Sequence, residues 1–374
     1  MSCRPHIAHV IDGLAPGGAE RMAVEIANAT DRSSYQVTVC VTRDDTTLEH
    51  ALDEDIGCIV LRRASRFDGR GFRRFSAFCS HRRVSVLHVH GRSSLSFIAF
   101  QKALGMLPSG LPVVAHDHFG DVDLVDRLPR SFRMSLRTTQ ALFVGVHERL
   151  VEMACRAGVP SNRAWFIRNA VDFSSYEVTT DRQHINLPDG LFRPFGIVVA
   201  NVRPTKDLAV LFQAAQLVDQ RFSVGVVGST ADAAYFDDCR KLIGQLSVND
   251  RVRFLGEQPD VRRLLGAADF GLLTSKSESG PLVLLEYAAS GLPFASTKVG
   301  SIGRDLCSRG IPEFTSVGDA NAMGMAITRL LALSDEGRNE RGNQGRLEAE
   351  KDYDISRVMP SWYEVYERAM KRTK

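Results

Sequence analysis

The sequence predicts an α/β protein built from two parallel-sheet halves that face each other across a cleft. Three observations carry this expectation. Short β-rich runs alternate with helical stretches along nearly the whole chain, which is the pattern of parallel α/β architecture. The alternation pauses at a polar stretch bearing Pro and Gly, residues 177–194, and then restarts. The 374 residues exceed what a single core comfortably holds and suit two domains of ordinary size. The expected boundaries are a first Rossmann-like half over 1–177, a linker over 178–194 and a second half over 195–355. A terminal helix over 356–374 is expected to pack back on the first half.

The elements follow in order. In the first half, apolar runs predict strands over 6–12, 36–42, 58–62, 84–90, 112–116, 141–146 and 164–168. The first of these leads into Asp12-Gly-Leu-Ala-Pro-Gly17-Gly18-Ala-Glu-Arg21, a glycine-bearing turn that opens a helix. Such a turn lets backbone amides approach a phosphate, with the helix dipole adding attraction. It is not G-x-G-x-x-G, so hydride transfer loses support, and it lacks the Gly-Lys-Ser/Thr ending of a P-loop. In the second half, strands are predicted over 195–201, 222–228, 251–255, 270–274 and 293–297, followed by a helix over 320–333. The last element, 359–370, is an amphipathic helix carrying Trp362, Tyr363 and Tyr366.

Composition excludes several function classes. Apolar content of 44% and charged content of 24% are those of a globular protein. A net charge of +3 is too small to imply nucleic-acid binding. The seven cysteines are scattered without a CxxC pair, which fits a reducing compartment and neither a disulfide framework nor a zinc site. No signal-peptide core or membrane-length apolar run is present, so a cytoplasmic location is expected, with peripheral contact on the inner face of the membrane. That contact is suggested by two basic stretches. One holds Arg66, Arg70, Arg73 and Arg74 among phenylalanines, and the other holds Arg130, Arg133 and Arg137 at helical spacing. Basic amphipathic segments of this kind can lie on anionic headgroups, although a solvated helix face is the plainer use of such a run.

The most specific chemistry lies in Glu278-Ser279-Gly280-Pro281-Leu282-Val283-Leu-Leu-Glu286. Pro281 reads as the first residue of a helix that Gly291 and Pro293 close. Glu278 then sits on the entering loop and Glu286 inside an apolar helix, where an unpaired carboxylate is costly. The helix N-terminus between them is a seat for phosphate, and carboxylates on either side can hold hydroxyls. A nucleotide-sugar, with sugar on both sides of a pyrophosphate, matches that arrangement. Arg203 and Lys206 follow the first strand of the second half, where they can neutralise a pyrophosphate. Gly228, ending the next strand, is expected to give the nucleotide close access to the backbone.

These residues resemble the retaining family-4 glycosyltransferases of GT-B fold over nearly the whole length. The matching stretches are Gly-Gly-Ala-Glu-Arg at 17–21, His-Asp-His at 116–118, Asn-Ala-Val-Asp at 169–172, Arg203 with Lys206, Gly228, Arg-Phe-Leu-Gly at 253–256, and Glu278 with Glu286. The resemblance implies that Glu278 contacts the donor sugar and Glu286 the ribose. Arg203, Lys206 and the amides of Gly17 and Gly18 hold the diphosphate, and His116 bonds the donor sugar. It implies a UDP-sugar donor, retention by same-face attack, and no metal or other cofactor. The expected acceptor is a lipid-linked saccharide or an oligosaccharide of bacterial surface-polysaccharide or glycolipid biosynthesis. Ala200-Asn201 stands where Gly-Arg is frequent, Ala170 replaces a usual Gly, and Ser279 replaces the Gly that usually follows the first Glu. An Asp-x-Asp metal motif at Asp121 and Asp123 is the rival within transfer chemistry. The rival functions are a nucleotide-sugar epimerase of the same fold, a glycoside hydrolase and a non-catalytic sugar-nucleotide-binding partner subunit.

Overall fold

The structure is a computed structural model and describes residues 4–65 and 67–372, so Cys3 and Arg66 lie outside the described residues. The chain forms two compact units, Met1–Ala170 with Ile355–Lys374, and Val171–Asp354. Residues 171–194, expected to be divided between the first half and a linker, belong to the second unit.

The first unit opens with β1 (His6–Ile11), α1 (Gly18–Ala29), β2 (Gln36–Val41), β3 (Gly57–Val60), α2 (Gly69–His81) and β4 (Val86–His90). It continues with α3 (Arg92–Ala103), β5 (Val113–Asp117), α4 (Arg130–Thr139), β6 (Leu142–Gly145), α5 (Glu148–Arg156) and β7 (Ala164–Phe166). Every strand pair is parallel, in the order β3-β2-β1-β4-β5-β6-β7. Parallel strands are covered on both faces, and β1, β4 and β5 are accordingly buried at every position. Helix α2 starts because the Asp68 carboxylate accepts the amides of Arg70 and Gly71, a cap worth about 1 kcal/mol. Its Phe72, Phe75 and Phe78 enter the core together with Phe132 and Leu136 of α4.

The second unit runs β8 (Phe195–Val199), α6 (Leu208–Leu217), β9 (Ser223–Val227), α7 (Ala233–Gln245), β10 (Val252–Gly256), α8 (Arg262–Ala267) and β11 (Phe270–Leu273). Then come α9 (Leu282–Ala289), β12 (Phe294–Thr297), α10 (Gly300–Ser308), β13 (Glu313–Thr315), α11 (Ala320–Leu331) and α12 (Asp335–Tyr353). Its parallel sheet has the order β10-β9-β8-β11-β12-β13. Buried Asp269 ties residues before β8 to the sheet by accepting the Phe195 amide at 2.6 Å and Arg193 Nη1 at 2.9 Å. Helix α12 lies so close to the end of α9 that a Cβ on Gly342 would fall 1.9 Å from the Gly291 carbonyl.

The chain returns to the first unit as α13 (Ile355–Lys371). Trp362 and Tyr366 are fully buried there, and Tyr363 Oη accepts the Asp31 amide at 2.9 Å. Among the described residues, no helix is long and apolar enough to cross a membrane.

Candidate functional site

Both sheets reverse their strand order once, between β1 and β4 in the first unit and between β8 and β11 in the second. At such a switch point the loops leaving the two strands diverge and open a crevice beyond their carboxyl ends, the preferred ligand site of open α/β sheets. In the second unit the two loops are residues 200–207 and 274–281. They carry Arg203, Lys206 and Glu278.

The structure brings Lys206 and Glu278 into direct contact. Lys206 Nζ donates to Glu278 Oε1 at 2.5 Å, and Ser275 Oγ donates to the same oxygen at 2.7 Å. The side chains are 21% and 12% exposed, so this ion pair is shielded but open to solvent at its rim. Its position is held through the backbone. Thr274 Oγ1 donates to the Lys206 carbonyl at 2.8 Å, and the Lys276 amide to the Thr205 carbonyl at 2.8 Å. The start of α10 holds the following loop, since the Ser301 amide donates to the Ser279 carbonyl at 2.8 Å. Gly300 is required at that contact: its φ is +71°, and a Cβ would meet Pro281 Cδ at 2.6 Å. Arg203 is exposed and makes no ion pair among the described residues.

Helix α9 starts at Leu282, with Pro281 as its cap residue rather than its first helical residue. Pro281 has ψ of 101° and thus sits just outside the helix, where a missing N–H also costs nothing. Ser279, Gly280, Pro281, Leu282 and Glu286 are buried, and Val283 is half-buried. Beside Glu286, the phenol of Tyr287 donates to the carbonyls of Ile197 and Leu272 at 3.1 and 3.0 Å and accepts the Val199 amide at 3.2 Å. It thereby locks α9 against β8 and β11. Gly271 makes room for that ring, since a Cβ there would lie 2.5 Å from it. Gly228 has φ of +151°, and its Cβ would lie 2.2 Å from the Ala200 carbonyl oxygen. The close approach at Gly228 is therefore one made by the chain itself.

In the first unit, Gly17 caps α1 with an extended backbone and Gly18 is the helix's first residue, at the end of the loop from β1. Asp12 heads that loop. Burial raises its pKa, but hydrogen bonds from Ser93 and Thr42 and the Arg63 guanidinium outweigh this and hold the carboxyl below its usual range.

His116 does not stand alone. Register pairs His9 with His88 and His90 with His116, and the i, i+2 spacings of His88/His90 and His116/His118 keep all five rings on one sheet face. His9 Nδ1 meets His90 Nε2 at 3.0 Å, His88 Nε2 meets His116 Nδ1 at 3.1 Å, and His90 Nδ1 meets His118 Nε2 at 3.3 Å. Tyr366 Oη of α13 bonds His88 Nδ1 at 2.8 Å, and Trp362 packs on His88 and His116. Burial pushes every one of these imidazoles down, His9 and His118 to about 3. His116 Nε2 has no hydrogen-bond partner among the described residues. Of this group the resemblance assigns a role to His116 alone, and His118 stands in the same His-Asp-His stretch. The visible signal for the others was the repeated His-x-His at 88–90 and 116–118. Asp121 and Asp123 belong to no potential metal-holding group among the described residues.

The basic stretches divide between surface and core. Arg70, Arg73, Arg74, Arg130, Arg133 and Arg137 are exposed, while the apolar sides of α2 and α4 face the core. Phe67 and Met134 remain outside, 64% and 62% exposed.

A family model described as glycosyl transferases group 1 matches residues 180–348, and one described as glycosyltransferase family 4 matches residues 16–175. The chain is 24% identical over 288 residues to the N-acetyl-alpha-D-glucosaminyl L-malate synthase of Bacillus anthracis, covering 76% of this chain and 74% of that protein. It is 24% identical over 315 residues to a phosphatidylinositol N-acetylglucosaminyltransferase component of Arabidopsis thaliana, covering 78% of this chain and 64% of that one. Among solved structures, Anabaena HepE in complex with UDP and glucose superposes with a TM-score of 0.80 at 18% identity, over 96% of this chain and 99% of that one.

Proposed function

Because the chain belongs to the family-4, group 1 glycosyltransferases of GT-B fold, we propose that it moves a hexose or N-acetylhexosamine from a UDP-sugar to an acceptor hydroxyl with retention of anomeric configuration. The observation that carries this reading is the Lys206–Glu278 pair at the switch point of the second sheet. Two relatives named for N-acetylglucosaminyl transfer and a neighbour crystallised with UDP and glucose support the donor class. The phosphatidylinositol-directed relative supports a lipid-linked acceptor at the cytoplasmic membrane face, of the kind used in surface-polysaccharide or glycolipid synthesis.

The chemistry follows from the groups present. Both side-chain contacts of Glu278 fall on Oε1, which leaves Oε2 to accept from donor-sugar hydroxyls. Lys206 carries three N–H donors and can keep Glu278 while it also donates to a phosphate oxygen. Arg203 and Lys206 meet the negative charge that grows on the leaving diphosphate as the glycosidic bond breaks. Glu286 takes the ribose hydroxyls, and His116 the sugar ring. The acceptor attacks from the face the diphosphate leaves, and that phosphate takes the acceptor's proton. No step uses a metal or another cofactor.

The test is transfer from a panel of UDP-sugars to lipid-linked saccharides, with product configuration read by NMR. Glu278→Gln and Lys206→Ala should each lower kcat/KM by about 10²–10³-fold, the loss typical of one group that stabilises developing charge. Unchanged turnover in the double variant would overturn the assignment. A free isomer of the donor sugar formed without acceptor would favour an epimerase.

A further inference from the structure

Two ion pairs of opposite sense cross between the loops at the switch point of the second sheet. Lys206 of the first loop pairs with Glu278 of the second, and Lys276 of the second pairs with Asp207 of the first, Nζ to Oδ1 at 3.2 Å. Asp207 and Lys276 have no part in the chemistry assigned above. Given that Lys206 and Glu278 meet the donor as proposed there, we infer that Asp207 and Lys276 are positioning residues for transfer. Lys276, held by Asp207, sets where the Lys206 ammonium stands.

Lys276 grips both neighbours of Lys206. Its amide donates to the Thr205 carbonyl at 2.8 Å, and its ammonium meets the Asp207 carboxylate. Asp207 is turned toward that contact and away from its usual task. It is the cap residue of α6, where an Asp side chain ordinarily accepts an amide of the first turn, yet it makes no side-chain cap hydrogen bond. The Leu208 amide goes instead to the Tyr235 phenol at 3.2 Å. Asp207 stands at φ of +48° and ψ of +47°, a left-handed conformation uncommon outside glycine, between the single turn Pro204–Lys206 and α6. The chain therefore turns sharply just after Lys206. The Asp207 side chain is 9% exposed, and a carboxylate so shielded needs a cation beside it. The Lys276 ammonium is thus engaged by Asp207, which leaves Lys206 as the lysine that meets the diphosphate. A cation speeds charge development only where it is preorganised, and a displacement of about 1 Å can cost about 10²-fold. Lys206 reaches its place through four methylenes, so its ammonium is fixed no better than the backbone that Lys276 pins on either side.

The experiment uses the full chain and the UDP-sugar that supports transfer in the panel above. Lys276→Met keeps the amide and the stem and removes only the charge. It should lower kcat by about 10–100-fold with the donor KM nearly unchanged, and Lys276→Arg should regain most of the loss. Asn also accepts the left-handed backbone, so Asp207→Asn should match Lys276→Met, and the double variant should be no worse than either single one. In a Lys206→Ala background, Lys276→Met should lower turnover no further, a result that a general loosening of the fold would not give. The Lys276 side chain is 48% exposed, so its variants test the role with the fold intact, as circular dichroism can verify. Wild-type kcat in Lys276→Met, or an undiminished loss in the Lys206→Ala background, would overturn the proposal. So would a loss in Lys276→Met that Asp207→Asn does not share, since Lys276 would then touch the diphosphate itself. Wild-type turnover in Lys206→Ala alone would remove the donor-site reading, and the positioning role with it.

Discussion

At the scale of single residues, Glu278 and Gly228 show two different reasons for a residue to be irreplaceable. Glu278 shares one oxygen with Lys206 and Ser275, in a spot only 12% exposed. Removing Lys206 leaves a shielded carboxylate without its counter-charge, which costs stability as well as activity. Lys206→Arg retains the charge and should separate the two losses, keeping the wild-type Tm while transfer falls. Gly228 is irreplaceable for backbone reasons. At φ of +151° it abuts the Ala200 carbonyl, and no flexible side chain is there to move aside. Gly228→Ala should therefore destabilise the protein by about 1–3 kcal/mol through strain alone. The measurement is the denaturant midpoint, and a midpoint equal to wild type would show that the two loops can part freely.

At the scale of elements, α2, α3 and α4 share one side of the first sheet, with Phe72 of α2 packed on Phe97 of α3 at 5.5 Å. Because the apolar sides of α2 and α4 are consumed by the core, any lipid contact must come from what projects outward. That is Arg70, Arg73, Arg74, Arg130, Arg133 and Arg137, with the edge-to-face pair Phe67 and Phe100 among them. The proposed membrane contact is thus electrostatic first. Each arginine near an anionic surface contributes about 1 kcal/mol, so Arg73→Glu with Arg74→Glu should weaken binding to anionic vesicles by at least ~30-fold at low salt. Co-sedimentation tests this, and equal binding to neutral and anionic vesicles would remove the idea. The same elements show what was legible in the sequence. Buried parallel strands such as Val86–His90 announce themselves as apolar runs. Strand β13 does not, being a three-residue edge strand whose Glu313 and Phe314 are only half-buried. Helix α12 is polar nearly all round, and its buried positions are Arg338, Gly342, Gly345, Ala349 and Tyr353, which form no apolar stripe. Glu278, Glu286, Arg203 and Lys206 were legible because their chemistry lies in two short segments. The histidine cluster was not, because it exists only once register sets His9 beside His88 and His90 beside His116.

At the scale of the whole molecule, the two units have unequal exposure to acid. Nine of the ten histidines lie in Met1–Ala170, and Val171–Asp354 holds only His184, whose side chain is 85% exposed. In the first unit His6, His9, His88, His90, His116 and His118 are all pushed down, chiefly by burial. The partners of His9, His88, His90 and His116 are other imidazoles and Tyr366. The unfolded chain protonates its histidines near the ordinary value of 6.5, whereas His9 and His118 resist until about 3 in the folded state. Below 6.5 the unfolded state therefore binds more protons, and stability falls with falling pH. The contribution is complete above about 6.5 and is lost progressively toward about 3, at up to 1.36 kcal/mol per pH unit for each histidine. Both tryptophans, Trp165 and Trp362, lie in the first unit, so indole fluorescence reports on that unit. The tryptophan-detected Tm should fall steadily between pH 7 and pH 5. Amide-exchange protection within residues 195–331 should change far less over the same range. Parallel losses in both units would mean that the buried imidazoles do not set the acid response, and a flat tryptophan signal would mean that they are protonated in the folded state without penalty.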